Sequence, residues 1–288
     1  MPHIFPDPQR SGAFRLPDGR RLAWHEWGPR DGAPVLFMPG AGTSGRLGFA
    51  LEHLDELEVR LIGIDRPGLG GSDPDPGKTL DSVAGDIGAF IAAEFTSSVR
   101  AVGYSQGAPF VLALAAQGHV TALTLVAGQD DFANKNTRAL LPDFVAEMCE
   151  RIETEPESVA REVAQADPDW LRNFIIETSH RDDAALYSAE PFASAFAAAL
   201  QTGFAQGSAG YVRDLLIAAG RWPFAAEDIT IPVDLWYGLD DASPVHSPDF
   251  GETLSRRFPR ASLHQIEGEG GRILWTRGAD ILRLLVNR

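Results

Sequence analysis

The chain lacks the features that staple or anchor many proteins. Cys149 is the single cysteine among 288 residues, so neither an intramolecular disulfide nor a cysteine-based zinc site can form. No stretch approaches the roughly 20 apolar residues that span a bilayer, and residues 1–10 show no basic region followed by an apolar run. We therefore expect a cytoplasmic protein, without bound metal or cofactor, that is stabilised by a sizeable apolar core.

Positive charge is also scarce. The formal net charge is −15, and the chain has only two lysines, Lys78 and Lys135. Association with nucleic acid or with an anionic membrane needs a basic face, so neither partner is expected. The remaining expectation is a monomer or homodimer that acts on a small molecule.

Apolar stretches that are typical of strands alternate with amphipathic helical stretches. This alternation predicts an α/β fold with a parallel sheet. Between residues 130 and 222 the pattern is helical throughout, so we expect a core formed by residues 1–129 and 223–288, with residues 130–222 as an inserted helical segment. The predicted strands are Phe14 to Leu16, Arg21 to Trp27, Val35 to Met38, Val59 to Ile64, Arg100 to Gly103, Thr121 to Ala127, Val233 to Tyr237 and Ala261 to Ile266.

The motif Gly103-Tyr104-Ser105-Gln106-Gly107 lies where a predicted strand passes into a predicted helix. This is the context of a nucleophile elbow, in which flanking glycines allow a sharp turn that presents the serine hydroxyl. The backbone N–H of Gln106 and the helix dipole would then lie where they can stabilise an oxyanion. Ser105 is therefore the candidate nucleophile.

The runs VLFMPGAGTSG, IDRPGLGGSD, VGYSQG and LWYGLDDASPVH resemble those of the α/β-hydrolase superfamily, in particular its capped bacterial members that are prolyl-aminopeptidase-like or esterase-like. The resemblance implies an eight-stranded, mostly parallel sheet flanked by helices, with the helical insertion as a lid. It also implies a second oxyanion donor at the backbone N–H of Ala41. The family's usual His-Gly is Pro39-Gly40 here, which removes a side chain that often braces that loop.

A serine triad needs a carboxylate and an imidazole. The family's spacing after the strand Val233 to Tyr237 assigns the carboxylate to Asp241, with the adjacent Asp240 as an alternative. The imidazole should follow the last strand in a Gly-x-Gly-His loop, but that position is Gly271. The sequence thus predicts an incomplete triad.

Three explanations of the incomplete triad stay open. Another histidine reaches the serine, the candidates being His246, His264 and His180, although His246 is expected to head a helix that points away. Alternatively, the fold has been adapted to cyclase, isomerase or lyase chemistry that uses the oxyanion hole, with Glu269 as a conceivable base. Finally, the chain is a ligand-binding pseudoenzyme or carries an inactivating substitution.

A dinucleotide site is the remote alternative. The glycines of residues 40–45 match G-x-G-x-x-G between a strand and a predicted helix that extends through Leu57, and Asp65 follows about 20 residues later. An NAD(P)-dependent oxidoreductase of the short-chain type would also need a tyrosine four residues before a lysine, and neither lysine has one.

The interpretation that covers most features is an enzyme that acts on a small, largely apolar ester-, lactone- or amide-like carbonyl compound. Ser105, Asp241 and the Gly271 position would form the catalytic site, with Ala41 and Gln106 as oxyanion donors. The predicted substrate-contacting side chains are Tyr104, Phe192, Phe196 and Trp222.

Overall fold

The computed structural model describes residues 5–288, so the expectation that residues 1–10 contain no leader falls partly on residues 1–4, which lie outside the described residues. Eight strands form one sheet in the order β1-β2-β4-β3-β5-β6-β7-β8. The first two strands are antiparallel to their neighbours, and the others run parallel. The strands are β1 Arg10–Arg15, β2 Arg21–Trp27, β3 Ala33–Met38, β4 Val59–Ile64, β5 Arg100–Tyr104, β6 Leu123–Val126, β7 Val233–Gly238 and β8 Ala261–Ile266.

Helices pack on both faces of the sheet. None of those in residues 5–288 combines the length and apolar character that a membrane span requires. They are α1 Leu80–Glu94, α2 Ala108–Ala116, α3 Lys135–Arg138, α4 Asp143–Thr154, α5 Pro156–Val163, α6 Pro168–Thr178, α7 Arg181–Ser188, α8 Phe192–Gly203, α9 Ala209–Ala219, α10 Glu252–Ser255, α11 Ile273–Thr276 and α12 Gly278–Val286.

The apolar strand β3 explains the layered core. Successive side chains of a strand point to opposite faces, so Leu36 packs with α1 and α2 on one side of the sheet while Phe37 packs with α12 on the other. A strand that is buried on both faces needs apolar residues at every position, as β3 has. The predicted α/β-hydrolase fold, with a mostly parallel eight-stranded sheet, is confirmed.

The segment between β6 and β7 is helical. Within residues 127–232, all of which are described, the chain forms seven α-helices, α3 to α9, and no strand. The assignment of this segment as a separate lid domain stays a prediction.

Two predicted helices are wrong. The helix expected after the glycine loop and through Leu57 is reduced to one 3-10 turn, Leu51–His53, which begins after a left-handed Ala50. The helix that His246 is expected to head is only the short α10, because Phe250 and Gly251 adopt left-handed backbone angles (φ 55° and 81°) that interrupt a right-handed helix.

The turn from β5 into α2 depends on the absence of a side chain at Gly107. A Cβ atom there would lie 2.1 Å from the carbonyl oxygen of Met38. Backbone atoms of β3 therefore approach this turn too closely for any other residue.

We predict that Gly107→Ala destabilises the protein by about 3 kcal/mol, because the methyl group would push the turn away from β3. The matched control is Gly85→Ala in α1, where a Cβ would meet nothing within 4 Å. That change should stabilise the protein by about 0.5–1 kcal/mol through the higher helix propensity of alanine. Urea unfolding of both variants measures the difference, and equal free energies of unfolding would contradict the packing argument.

Candidate active site

Ser105 lies in the sharp turn that connects β5 to α2. Its φ angle is 51°, in the left-handed region that a non-glycine residue rarely adopts. The strain is held by the surrounding contacts, including a hydrogen bond of 3.0 Å from the Gln129 backbone N–H to the Ser105 carbonyl. The side chain is nine-tenths buried and lies at a cavity.

An imidazole contacts this hydroxyl. The Nε2 atom of His246 lies 2.8 Å from Ser105 Oγ, and its Nδ1 atom lies 2.7 Å from Asp241 Oδ2. Both His246 and Asp241 belong to the loop that follows β7, and both side chains are more than nine-tenths buried. The predicted incomplete triad is therefore wrong, and of the three open explanations the structure shows the one in which His246 reaches Ser105, because residues 243–250 form a loop that turns back toward Ser105 instead of a helix that leads away.

The other predicted candidates for a base are held elsewhere. His264 stacks on Trp236 with ring centroids 4.4 Å apart, and His180 caps the N-terminus of α7. The Glu269 carboxylate accepts hydrogen bonds from Thr276 (2.9 Å) and Arg277 (3.0 Å). None of these three side chains lines the cavity that contains Ser105.

The structure also distinguishes the two adjacent carboxylates. Asp240 is exposed, and its backbone N–H donates to the Glu269 carbonyl at 2.9 Å. Asp241 faces inward, where its Oδ1 accepts from the Ser243 N–H at 3.0 Å while Oδ2 meets His246. Of the two, Asp241 is the one in a position to orient the imidazole.

A buried hydrogen-bond cluster holds the residue after His246. Ser247 donates its backbone N–H to the Gly128 carbonyl (3.0 Å) and its hydroxyl to Asp130 Oδ2 (2.6 Å). Burial raises the pKa of the Asp130 carboxyl to about 6, although the bond from Ser247 partly opposes this shift. These contacts join the loop after β7 to the loop after β6, and they thereby place His246.

The predicted oxyanion donors lie beside the nucleophile. Ala41 and Gln106 line the cavity together with Ser105. The Ala41 N–H donates to no acceptor among residues 5–288. The Gln106 N–H lies at the start of a helical turn, where backbone N–H groups have no partner within the helix. Their role in stabilising an oxyanion stays a prediction.

The cavity has a volume of about 340 Å³ and is mainly apolar. Tyr104, Phe192 and Phe196 line it, and their contact with a substrate stays a prediction, whereas Trp222 does not line it. The Trp222 ring stacks on Phe224 and packs in the core on the α1 and α2 side of the sheet, with its N–H donated to a carbonyl of α9, so its assignment as a substrate contact is wrong.

Tyr104 is held in place by its hydroxyl. This group donates to the Gly271 carbonyl (3.0 Å) and lies 3.2 Å from the hydroxyl of Tyr187. Burial raises the pKa of both phenols above the ordinary value, so both stay neutral at physiological pH. Tyr104 is a fixed part of the cavity wall.

The features that suggested a dinucleotide site have structural explanations. The Asp65 carboxylate is fully buried and accepts hydrogen bonds from Ser44 (2.6 Å), Gly45 (2.8 Å), Gly71 (2.9 Å) and His25 (3.2 Å). It has no capacity left for a ribose. Between the glycine loop and β4, a stretch that the structure describes throughout, no α-helix forms, so the helix N-terminus that would bind a pyrophosphate is also missing there.

Comparisons with known proteins agree with the fold. A family model described as alpha/beta hydrolase fold matches residues 33–202, which is more than half of the chain. The chain belongs to the α/β-hydrolase fold family. A relative named non-heme chloroperoxidase, from Streptomyces lividans, is 34% identical over 124 residues, which are 40% of this chain and 44% of that protein. The match thus spans less than half the length of that relative.

Solved structures resemble this chain over nearly its whole length. A bromoperoxidase from Bacillus anthracis has a TM-score of 0.74 at 18% identity, with 97% of this chain and 100% of that chain covered. An esterase from Exiguobacterium antarcticum has a TM-score of 0.71, also at 18% identity, with 96% and 97% covered. At these identities the likeness concerns the fold alone.

Gly271, at the position expected for the family's histidine, makes backbone hydrogen bonds that connect α7 to β5. The Gly271 N–H donates to Asp183 of α7 at 2.8 Å, and its carbonyl accepts from Tyr104. A Cβ atom on Gly271 would lie 3.4 Å from each of Asp241 Oδ1, His246 Cε1 and the Tyr187 hydroxyl. The space into which a histidine side chain at 271 would extend is therefore occupied by the His246 ring and its neighbours.

The Asp130 pKa gives a stability prediction. An unfolded aspartate titrates near 3.9, so the folded protein holds this proton through a range in which the unfolded chain has lost it. The contribution of Asp130 to stability is therefore present at low pH and decreases as the pH rises through about 6. Between pH 5 and 7.5 it should lower the free energy of unfolding by about 1 kcal/mol.

Urea unfolding of the wild type and of Asp130→Asn at both pH values measures this term. The variant should lack that part of the pH dependence, while Asp240→Asn, the same change at an exposed position, should retain it. Parallel pH profiles for the wild type and Asp130→Asn would show that Asp130 is not the titrating group.

Proposed function

We propose that the protein is a serine hydrolase that acts on small, uncharged, largely apolar esters. The observation that carries this proposal is the hydrogen-bonded chain from Asp241 through His246 to Ser105, with its hydroxyl end at an enclosed apolar cavity. A serine, an imidazole and a carboxylate in this order are the groups that acyl transfer requires. This proposal uses the alternative in which His246 takes the place of the expected histidine.

Each residue then has one chemical task. His246 Nε2 accepts the Ser105 proton as Oγ attacks the substrate carbonyl, and Asp241 stabilises the imidazolium that forms. The amides of Ala41 and Gln106 stabilise the negative charge on the carbonyl oxygen. His246 then returns the proton to the leaving alcohol, and a water molecule hydrolyses the acyl-enzyme by the same route.

The walls of the cavity support the substrate class. Apart from Asp241 and His246 of the triad, neither an acid nor a lysine or arginine is among the lining residues, all of which lie within the described part of the chain. Such a wall offers no counter-ion to a charged substrate, and a volume of about 340 Å³ suits a small organic molecule.

The proposed entrance lies between α4 and α6. Phe144 and Trp170 line the cavity and are also about half exposed, so they lie where the cavity meets solvent. Both belong to the helical segment between β6 and β7, which supports the view that this segment acts as a lid over Ser105.

The decisive experiment combines a fluorophosphonate probe with p-nitrophenyl butyrate hydrolysis. We expect the probe to label Ser105 and His246→Ala to lower kcat by roughly 10⁴- to 10⁶-fold, because the serine would lose its base. Ser97→Ala, at an exposed loop serine, and His264→Ala serve as matched controls and should retain activity. An unlabelled wild-type protein that hydrolyses no ester would overturn the proposal.

Gly271→His tests the position of the base. The new ring would compete with His246 for the space beside Asp241, so we expect kcat to fall at least about tenfold, as for other overpacked, misplaced catalytic groups. Gly271→Ala adds only a Cβ at contact distance and should stay close to the wild type.

Gly271→His should have the opposite effect on kcat in a His246→Ala background. There the ring at position 271 can approach the Asp241 carboxylate, and it should restore part of the activity that His246→Ala removed. Higher activity of Gly271→His in the wild-type background would instead indicate that His246 is not the functional base.

A further inference from the structure

The loop after β3 is held by a buried arginine from the loop after β4. Arg66 donates from Nη1 to the Pro39 carbonyl (2.7 Å) and from Nη2 to the Gly40 carbonyl (3.0 Å). Its side chain is fully buried and is not part of the cavity wall. Arg66 thus hydrogen-bonds to this loop from outside the cavity wall.

The contact with Gly40 has a direct geometric consequence. The Gly40 carbonyl and the Ala41 N–H belong to the same planar trans peptide, in which these two groups point in opposite directions. A Cβ on Gly40 would lie 3.4 Å from Ser105 Cβ, so this peptide adjoins the nucleophile. With its carbonyl directed at Arg66, the peptide directs the Ala41 N–H away from Arg66, toward the cavity.

We propose that Arg66 is the positioning residue of the oxyanion hole, and that its guanidinium fixes the Gly40–Ala41 peptide so that the Ala41 N–H faces the reacting carbonyl oxygen. This inference rests on the proposed hydrolase function. In the α/β-hydrolase superfamily a histidine before the glycine often braces this loop. Here that position is Pro39, and Arg66 braces the loop instead. The positive charge also polarises the peptide, which strengthens its N–H as a donor.

A second anchor keeps the guanidinium in this orientation. Asp214 of α9, also fully buried, accepts from Arg66 Nε at 2.7 Å, and the Arg66 guanidinium lies 4.8 Å from the centroid of the Phe110 ring. A buried guanidinium requires such partners, and its planar fork can meet the carboxylate and two carbonyls at once. The helical segment that contains α9 therefore takes part in placing the oxyanion donor.

Lys78 offers a matched control within the same cluster. Its ammonium is equally buried and lies 2.6 Å from Asp214 Oδ1. Its other bonds go to the carbonyls of Pro67 (2.5 Å) and Gly210 (3.1 Å), and it does not contact the loop after β3. Loss of Lys78 thus removes a buried cation from Asp214 without freeing the Gly40–Ala41 peptide.

The test compares Arg66→Met with Lys78→Met in p-nitrophenyl butyrate hydrolysis, with active sites counted by fluorophosphonate titration. For Arg66→Met we expect kcat per active site to fall about 10- to 100-fold with KM nearly unchanged, because a misdirected donor loses transition-state stabilisation. The affinity for a trifluoromethyl ketone, which forms an oxyanion in the site, should fall by the same factor. Lys78→Met should lower the melting temperature but keep kcat within about threefold, well below the loss of an oxyanion donor.

If Arg66→Met does not fold, Arg66→Lys tests the positioning role of Arg66. An ammonium can neutralise Asp214 but cannot hold both loop carbonyls, so kcat should still fall about tenfold. An Arg66 variant that loses stability like Lys78→Met but retains kcat and ketone affinity would overturn the positioning role. A wild-type protein that is neither labelled nor active would instead overturn the proposed function, and this inference with it.

Discussion

The site depends on one imidazole that spans two strand ends. Ser105 follows β5 and Asp241 follows β7, and β6 lies between them, so the two strands are about 10 Å apart. A side chain that bridges the intervening end of β6 can hydrogen-bond to both groups, and the His246 ring does so with bonds of 2.8 and 2.7 Å. The loop after β6 holds the His246 segment there through Gly128 and Asp130.

The helical segment between β6 and β7 is joined to the loops of the candidate site by buried polar contacts. Asp183 of α7 binds the backbone beside Gly271, and Asp214 of α9 binds Arg66, which holds the loop after β3. Burial raises the pKa of Asp183, although the two amides that it accepts from oppose the shift. Because buried carboxylates are costly unless they are paired, these contacts specify one docking geometry for the segment.

Positions 246 and 271 are two places in the chain from which an imidazole could reach Asp241. A side chain at either position would meet the same Asp241 carboxylate, and the structure has room for one ring. The Gly271 backbone donates to Asp183 and accepts from Tyr104, so this position connects the segment to the sheet. A catalytic group has a required place in space, but several positions in the chain can supply it.

The sequence alone was sufficient to predict the sheet, the elbow at Ser105, the inward-facing Asp241 and two of the cavity aromatics, Phe192 and Phe196. The sheet and the elbow follow from periodicity and glycine positions, which express local backbone preferences. Asp241 and the cavity aromatics follow from the resemblance to the α/β-hydrolase superfamily, which implies the spacing after β7 and the lid. The tertiary structure decided that His246 reaches Ser105 and that Trp222 packs in the core. Both outcomes depend on contacts between distant parts of the chain, and local patterns do not encode how a loop crosses a neighbouring strand or which face a helix buries.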